Sequence, residues 1–325
     1  MRVLVAGAGA VGQWLGGRLL QDGHDTTLLC RPAQAAAIAG PGLFVRGLTE
    51  LHGHPKAVTA LAPGTDAFEA ILLTCKARDT APMAKLVAPF LAPHGILVSL
   101  QNGLGNGQKL RSVVPSGKVA LALTSHGLTL EAPGKVLHAG GGPTLVGPLE
   151  TGAGNDGAAR IAFGLLTRVG LEPEWRGEMR GAVWRKAIVN HAINPVAALY
   201  GVRNGDLLDR ADLRAMSLAL LQEGATLAAR AEIDLGDGLE DALASTLDKT
   251  RGNTCSMLQD VQAGRPTEVE QITGRLVRLA ARLKVPMPRG DALYKRIKDL
   301  ESSYLGAERV RQTASDEVPW EREPF

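Results

Sequence analysis

Three polar residues recur at intervals of four in the otherwise apolar segment VWRKAIVNHAINPVAAL, residues 183–199. They are Lys186, Asn190 and Asn194. On a helix of about 3.6 residues per turn, each step of four rotates by about 40°, so the three side chains form one narrow stripe. A single lysine there would ordinarily reach solvent, and a single asparagine would bind a neighbouring carbonyl. Three such groups together need more partners, and a polar ligand in a cleft would supply them.

A glycine-rich motif, GAGAVG, follows the first apolar run and opens a helical pattern. It consists of Gly7, Ala8, Gly9, Ala10, Val11 and Gly12. Gly7 would allow a tight turn, Gly9 would let the backbone approach a pyrophosphate, and Gly12 would let helix and strand pack closely. The helix N-terminus would then face the phosphates. A loop without a ligand is the alternative, but the strand and helix around the motif favour a dinucleotide site.

The ends of three predicted strands carry further polar residues. NAD-binding proteins place Asp or Glu at the end of the second strand, whereas this strand ends in LLCRP and offers Arg31. A guanidinium can pair with a 2′-phosphate, which favours NADP. Lys76 follows ILLTC and Asn102 follows LVSLQ, at positions where doubly wound sheets bind ligands. The alternatives are an ordinary surface arginine and routine loop or capping residues.

The C-terminal half contains two more polar segments. RNGD places Asn204 at a turn, and GNTCSMLQDVQAGRPTEVEQITG, residues 252–274, contains Asn253, Ser256, Asp260 and Glu268. Taken one at a time, these residues have simpler interpretations. Asn204 would lie in a loop before a helix, Asn253 would cap a helix, and Ser256 would stand in its first turn. Asp260 and Glu268 would be solvated charges.

The elements that must position these residues differ between the two halves. Strand-like and helix-like segments alternate over the first half, which predicts a doubly wound, mostly parallel sheet. Residues 118–147 change to strands joined by Pro-Gly and Gly-rich turns, which predict an antiparallel extension of that sheet.

Strand signals end near Gly177, and the remaining segments have helical periodicity. The predicted helices are residues 178–200, 211–232, 239–250, 254–263, 267–284 and 289–303. We therefore predict an α/β domain over residues 1–172, an all-α domain over 173–310 and a polar tail over 311–325.

Composition narrows the class of protein. The 325 residues are 45% apolar and 21% charged, which is typical of a globular protein with room for two cores. A net charge of +3 without a basic run gives no reason to expect nucleic acid or membrane as a partner. Cys30, Cys75 and Cys255 lie far apart and match no metal-ligand spacing, so we expect no metal and a reducing cytoplasm. The apolar run Val3 to Ala6 is too short for a signal peptide.

The chain resembles the ketopantoate reductase (2-dehydropantoate 2-reductase) family over nearly its whole length. The resemblance rests on GAGAVG, TCKARDT, SLQNGLGN, TSHG, WRKAIVNHAINPVAAL and the segment NTCSMLQDV with GRPTEVEQITG. It implies a Rossmann-type domain followed by an all-α domain, with the active site in the cleft between them. It also implies NADPH-dependent reduction of 2-dehydropantoate to (R)-pantoate, a step of pantothenate and coenzyme A biosynthesis.

The same resemblance implies roles for the residues singled out above. Lys186 would protonate the carbonyl oxygen of the substrate. The residues implied to bind the substrate are Asn102, Lys186, Asn190, Asn194, Asn204, Asn253 and Ser256. The residues implied to contact the cofactor, besides the glycine motif, are Arg31, Lys76, Asn102 and Glu268. Cys255 departs from the pattern, since a second serine is common there.

The residue types suit that chemistry. Hydride transfer to a ketone carbon leaves negative charge on the oxygen, which an ammonium can stabilise and protonate, whereas an amide cannot protonate it. One alternative is a reductase of another branched 2-oxo acid, which would carry the same stripe. Another is a non-catalytic NADPH-binding sensor, which would not need Lys186. The oligomeric state is open, a homodimer being one alternative.

Overall fold

The described strands all lie between Arg2 and Trp175. The computed structural model describes residues 1–152 and 156–306. In chain order the strands are β1 (Arg2–Ala6), β2 (Asp25–Leu29), β3 (Leu43–Gly47), β4 (Leu51–Gly53), β5 (Lys56–Val58), β6 (Phe68–Leu73), β7 (Leu91–Ser99), β8 (Val119–Thr124), β9 (Gly127–Ala132), β10 (Lys135–Gly140), β11 (Thr144–Pro148) and β12 (Glu174–Trp175). The main sheet has the order β12-β11-β8-β7-β6-β1-β2-β5. Strand order reverses at β1, which pairs in parallel with β2 on one side and β6 on the other. In a doubly wound fold such a point is where ligands bind.

Helices cover both faces of this sheet. They are α1 (Ala10–Gln21), α2 (Pro32–Ala39), α3 (Thr80–Val87), α4 (Asn106–Arg111) and α5 (Gly157–Arg168). One apolar core contains Trp14 and Leu15 of α1 with residues of α5, and a second contains Ala84 and Val87 of α3. The near-continuous apolar runs of the central strands follow from this burial on two faces. The predicted Rossmann-type, mostly parallel architecture is confirmed.

The predicted antiparallel extension is correct for two of its strands and wrong for the other two. β8 and β11 pair antiparallel within the main sheet. β9 and β10 instead form a separate sheet with β3 and β4, in the order β4-β3-β10-β9. The hairpin of β9 and β10 leaves one edge of β10 open, and β3 pairs with it in parallel. Since alternating apolar residues suit either sheet, the sequence pattern could not distinguish these partners.

The C-terminal half is all helical in its described part, as predicted. Its helices are α6 (Arg180–Tyr200), α7 (Asp206–Asp209), α8 (Ala211–Arg230), α9 (Leu239–Lys249), α10 (Ser256–Gln262), a π-helix (Glu270–Gly274), α11 (Arg275–Leu283) and α12 (Pro288–Leu305). α6 lies in the centre of the core, where Ile188, Ala192 and Val196 pack among residues of the surrounding helices. This burial on most sides explains why α6 is apolar almost all round. Among the described helices, none is long and apolar enough to cross a membrane.

Two compact units divide the chain. The first is Met1–Gln101 with Gly105–Met179, and the second is Asn102–Leu104 with the described chain from Arg180 onward. Leu104 belongs to the helical core, and its backbone N–H donates to the carbonyl of Gln271. The predicted domain boundary, after residue 172, lies before the division between Met179 and Arg180. The difference arises because β12 pairs with β11 and keeps that segment in the sheet. The predicted tail, residues 311–325, lies outside the described residues.

Candidate functional site

The glycine motif forms the turn between β1 and α1, and two of its glycines are required by the protein itself. A Cβ on Gly7, whose φ is +114°, would lie 2.5 Å from the backbone nitrogen of Cys75. A Cβ on Gly12 would lie 1.9 Å from the carbonyl oxygen of Gly7. The Thr74 hydroxyl donates to that same carbonyl at 2.6 Å. The turn is therefore packed tightly against the residues that follow β6.

Gly9 is the exception within the motif. It precedes α1 and is exposed, and a Cβ built on it would meet nothing within 4 Å. The side chain of Gln13 donates to the carbonyl of Ala8 at 2.8 Å and so holds this part of the loop. No packing in the described protein explains the glycine at this position. A group bound at the N-terminus of α1 would explain it, because only glycine lets a phosphate approach the backbone closely.

Arg31 and Lys76 follow the two strands that flank β1. Arg31 comes two residues after β2, is exposed and directly precedes α2. Lys76 comes three residues after β6 and is partly buried at the start of a 3₁₀ turn, Ala77–Asp79. Both therefore lie at the carboxyl edge of the sheet, as does the glycine motif. Asn102 comes three residues after β7, but its contacts place it in the helical unit.

Lys186 lies on α6, partly buried, among the apolar residues of the helical core. Burial lowers the pKa of its ammonium to about 8, and the negative charge of Glu268 acts in the opposite direction. Loss of water around a cation favours the neutral form, whereas a nearby carboxylate favours the charged form. The ammonium is thus mostly protonated at neutral pH but gives up its proton more readily than an exposed lysine.

The amides of the stripe lie on the same helix. Asn194 is buried and Asn190 is partly buried. The backbone carbonyl of Asn194 accepts a long hydrogen bond, 3.7 Å, from the thiol of Cys255. This contact joins α6 to the first turn of α10, which contains Ser256 at an exposed position. The α6 stripe and the Ser256 segment, which are some 60 residues apart in the chain, are therefore held together.

The cap of α10 differs from the simplest expectation. The sulfur of Cys255, not Asn253, accepts the backbone N–H of Leu258 at 3.4 Å. Asn253 stands two residues too early to reach that N–H and instead donates its own N–H to the carbonyl of Thr250. Burial raises the pKa of the Cys255 thiol to about 11. The thiol therefore stays protonated and acts as a structural group.

We expect Cys255→Ala to destabilise the protein by about 1 kcal/mol, the usual value of a helix N-cap. Cys255→Ser should retain most of that stability, because a hydroxyl also accepts the N–H of Leu258. Urea unfolding of the two variants and the wild type measures the difference. Equal stability of the alanine and serine variants would contradict a capping role for this side chain.

Asn204 and Asn253 are brought together by their backbones. The N–H of Asn204 donates to the carbonyl of Asn253 at 3.1 Å, and the Asn204 amide donates to the Thr250 hydroxyl at 2.8 Å. The amide oxygen of Asn204 is buried and has no hydrogen-bond partner among the residues that the structure describes. An unsatisfied buried acceptor is costly, so this oxygen is suited to a donor on a ligand, such as a hydroxyl.

Asp260 and Glu268 are not solvated charges, as their isolated interpretation predicted. Asp260 is 2% exposed and pairs with Arg265 at 3.1 Å, while Glu268 is 6% exposed. A buried carboxylate is tolerated only with partners that replace water. Arg265 provides one for Asp260, and the charge of Glu268 interacts with that of Lys186.

His191 and Glu301 are among the buried polar residues that the sequence analysis did not identify. His191, fully buried on α6, lies 3.0 Å from the hydroxyl of Thr273 in the π-helix, and burial lowers its pKa to about 4. Glu301, 1% exposed on α12, accepts two hydrogen bonds from Thr267. Glu301 follows Leu293 and Ile297 at steps of four, so its place on the buried face of α12 was visible in the sequence.

The described residues contain no cluster of three or more His, Cys, Asp or Glu side chains that could hold a metal ion. All three cysteines are free thiols. The candidate groups of the helical unit are an ammonium, amides, hydroxyls and a carboxylate, which are the types of group that can bind and protonate an oxygen-rich small molecule.

Comparison with known proteins identifies the family. Residues 3–151 match the family model described as ketopantoate reductase PanE/ApbA, and residues 178–301 match the model of its C-terminal domain. A relative from Pyrococcus horikoshii, named 2-dehydropantoate 2-reductase, is 34% identical over 93% of this chain and 98% of its own.

Two solved structures are similar over 94% of the chain. A PanE/ApbA family ketopantoate reductase from Ralstonia eutropha has a TM-score of 0.84 at 26% identity, and all of its chain is covered. A D-mandelate dehydrogenase, solved in complex with NADH, has a TM-score of 0.81 at 25% identity and is also covered in full. From the two matched domains and the relative at 34% identity, it follows that the chain belongs to the ketopantoate reductase family.

Proposed function

We propose that this protein reduces 2-dehydropantoate to (R)-pantoate with NADPH, in the pathway to pantothenate and coenzyme A. The observation that carries the proposal is Lys186, which shares one helix face with two asparagines and has its pKa lowered to about 8 by burial. Curated relatives named 2-dehydropantoate 2-reductase support the choice of substrate.

In this proposal the protein's own residues bind the 2-oxo acid and provide a proton. Asn190, Asn194 and Asn204 hold the polar groups of the substrate, with Asn102 and Asn253 beside them, and Ser256 binds its carboxylate. Lys186 stabilises the negative charge that develops on the carbonyl oxygen and then donates its proton from Nζ. NADPH, when bound, supplies the hydride that the ketone carbon receives. The apolar residues around Lys186 strengthen its attraction for the developing charge.

The residues present fit a dinucleotide. The exposed Gly9 leaves space at the N-terminus of α1, where backbone N–H groups favour a pyrophosphate. Lys76 provides a positive charge for the cofactor phosphates, and Arg31 is the candidate partner of a 2′-phosphate. Asn102 and Glu268 would complete the cofactor contacts. The mandelate dehydrogenase complex with NADH supports a nicotinamide cofactor, whereas the choice of NADPH rests on Arg31.

We expect Arg31→Ala to weaken NADPH binding about tenfold and to leave NADH binding unchanged. An exposed guanidinium loses strength to solvent, so the effect should be near the lower limit for a charged hydrogen bond, about 1.5 kcal/mol. Fluorescence titration with both nucleotides measures it. Equal weakening for NADH and NADPH would show that Arg31 does not recognise the 2′-phosphate.

The substrate is tested by following the loss of NADPH absorbance with separate 2-oxo acids. Ketopantoate, another branched 2-oxo acid and phenylglyoxylate, the oxidised form of mandelate, distinguish the candidates. The highest kcat/KM should be that for ketopantoate. Preference for phenylglyoxylate would favour the activity of the mandelate dehydrogenase relative, and no turnover with any acid would favour a cofactor-binding sensor.

The free thiols suit a reducing compartment, so we propose the cytoplasm as its location. The binding partner that we propose is a small 2-oxo acid substrate. The net charge of +3 gives no support for nucleic acid as a partner. Sedimentation of the purified protein tests whether it forms a homodimer.

A further inference from the structure

A buried carboxylate on α12 fixes the backbone next to Glu268. The N–H and the hydroxyl of Thr267 both donate to Oε1 of Glu301, each at 2.6 Å. The second oxygen of Glu301 lies 2.7 Å from the ammonium of Lys298, which is itself mostly buried. Glu301 is 1% exposed, so these hydrogen bonds are well shielded from water. Charged hydrogen bonds of this length are among the stronger ones in proteins.

Both neighbours of Glu268 in the chain are tied to this carboxylate. Thr267 binds it directly, and the N–H of Val269 donates to the Thr267 hydroxyl at 3.2 Å. The carbonyl of Glu268 accepts N–H groups of Gln271 and Ile272, each at 3.1 Å. Glu268 therefore has little freedom to move along or away from α12.

This restraint matters because the charge of Glu268 acts on Lys186. We propose that Glu301, through Thr267, is a positioning residue that holds the carboxylate of Glu268 close to the ammonium of Lys186. The importance of this role rests on the proposed function, in which Lys186 is the proton donor. Neither Glu301 nor Thr267 need touch the substrate or the cofactor.

Stabilisation of the fold is by itself a weak reason for burying the charged carboxylate of Glu301. Replacing a buried ion pair by well-packed apolar residues is often neutral or stabilising. Lys298, on the same helix, pairs with Glu301, and Asp260 pairs with Arg265. The pKa of Tyr304 is raised to about 12, mainly by burial and then by the negative charges of Glu301 and Asp260. The two hydrogen bonds from Thr267 to Glu301 also fix the backbone directly beside Glu268.

The test measures the pKa of Lys186 directly, by competitive acetylation of the intact protein across pH and mass spectrometry of the Lys186 peptide. Thr267→Val keeps the side-chain volume but removes the hydroxyl, and Glu301→Gln removes the charge. In both variants Glu268 should hold Lys186 less closely, so the Lys186 pKa should fall by about 0.5 or more. Thr267→Ser keeps the hydroxyl and should leave that pKa near the wild-type value.

Glu223→Gln is the matched control. Glu223 is also a buried carboxylate that binds α12, where it accepts the N–H groups of Arg289 and Gly290 at 3.0 and 2.8 Å. Its replacement should lower Tm and leave the Lys186 pKa unchanged. If Thr267→Val and Glu301→Gln behave like this control, or raise that pKa, the positioning role is wrong.

The labelling does not depend on turnover, so it separates the two proposals. Normal turnover in Lys186→Ala would refute the proton-donor role even if the Thr267 variants shift the pKa of Lys186. Should Glu301→Gln fail to fold, the comparison of Thr267→Val with Thr267→Ser still decides the proposal. In active enzyme, the alkaline limb of the kcat profile should move to lower pH in Thr267→Val by the same amount.

Discussion

Replacing Lys186 by alanine is expected to lower kcat by roughly 10²–10⁴-fold, the usual contribution of a positioned acid. The alanine variant can neither stabilise the developing oxyanion nor protonate it. Binding of NADPH should change little, because the residues proposed to hold its phosphates are outside α6. Steady-state turnover and fluorescence titration of NADPH measure the two quantities. Near-normal turnover would mean that Lys186 is an ordinary partly buried lysine.

Arg185 provides a matched control on the same helix. Its guanidinium donates to the carbonyls of Leu235 and Gly238, each at 2.7 Å, so it stabilises the start of α9 and the loop before it. Arg185→Ala should therefore lower Tm but keep kcat within about twofold of wild type. A large loss of kcat in this variant would show that kcat responds to disturbance of α6 in general.

Lys186 should also determine how turnover depends on pH. The pKa of Lys186 is lowered from 10.5 to about 8, so the ammonium is protonated below that value and neutral above it. An acid must carry its proton, and turnover should be constant on the acid side and fall as pH rises through about 8. A kcat profile that stays flat to pH 10 would contradict the assignment.

Gly12→Ala should reduce the stability of the fold, whereas Gly9→Ala should reduce the affinity for the cofactor. At Gly12 the new methyl would lie 1.9 Å from the carbonyl of Gly7, so the turn must move, and we expect a loss of about 3 kcal/mol in the free energy of unfolding. At Gly9 the methyl would meet no described atom within 4 Å, and φ of −75° suits alanine. Gly9→Ala should therefore stay folded but bind NADPH roughly 10–100-fold more weakly, because the pyrophosphate can no longer approach the backbone.

Urea unfolding and nucleotide titration on both variants separate these effects. Gly164→Ala is the control for the effect of a glycine-to-alanine change as such, since Gly164 lies within α5 and its Cβ would meet no described atom within 4 Å. Gly23→Ala would not serve, because Gly23 has a φ of +79°, which strains an alanine. Unchanged NADPH affinity in Gly9→Ala would remove the main reason to place a pyrophosphate at α1.

The order of the main elements was predictable because local patterns specify it, but the segments that form α2 and β3 to β5 were not identified. The run RVLVAG, the glycine motif and the helix after it predicted β1 and α1, and the loss of strand signals predicted the helical half. The partners of β9 and β10 were not predictable. Alternation of apolar residues identifies a strand, but pairing depends on an open edge elsewhere, here that of β3.

For the site, spacing within one helix carried most of the information. Lys186, Asn190 and Asn194 share a face because of helix geometry alone. The contacts that needed the structure join distant parts of the chain: Cys255 caps α10 and reaches the carbonyl of Asn194, and Glu301 binds Thr267, 34 residues away. Burial of Glu268 likewise depends on packing that no local pattern describes.

The assignment of Asn102–Leu104 to the helical unit has a practical consequence for dividing this gene. A fragment that begins at residue 180 would contain every helix from α6 onward but would lack Leu104, a buried member of the helical core. It would also leave the carbonyl of Gln271, in the π-helix, without the N–H of Leu104. Such a fragment should be less stable than its helix content suggests. Adding a peptide that spans residues 100–106 in trans should raise its Tm.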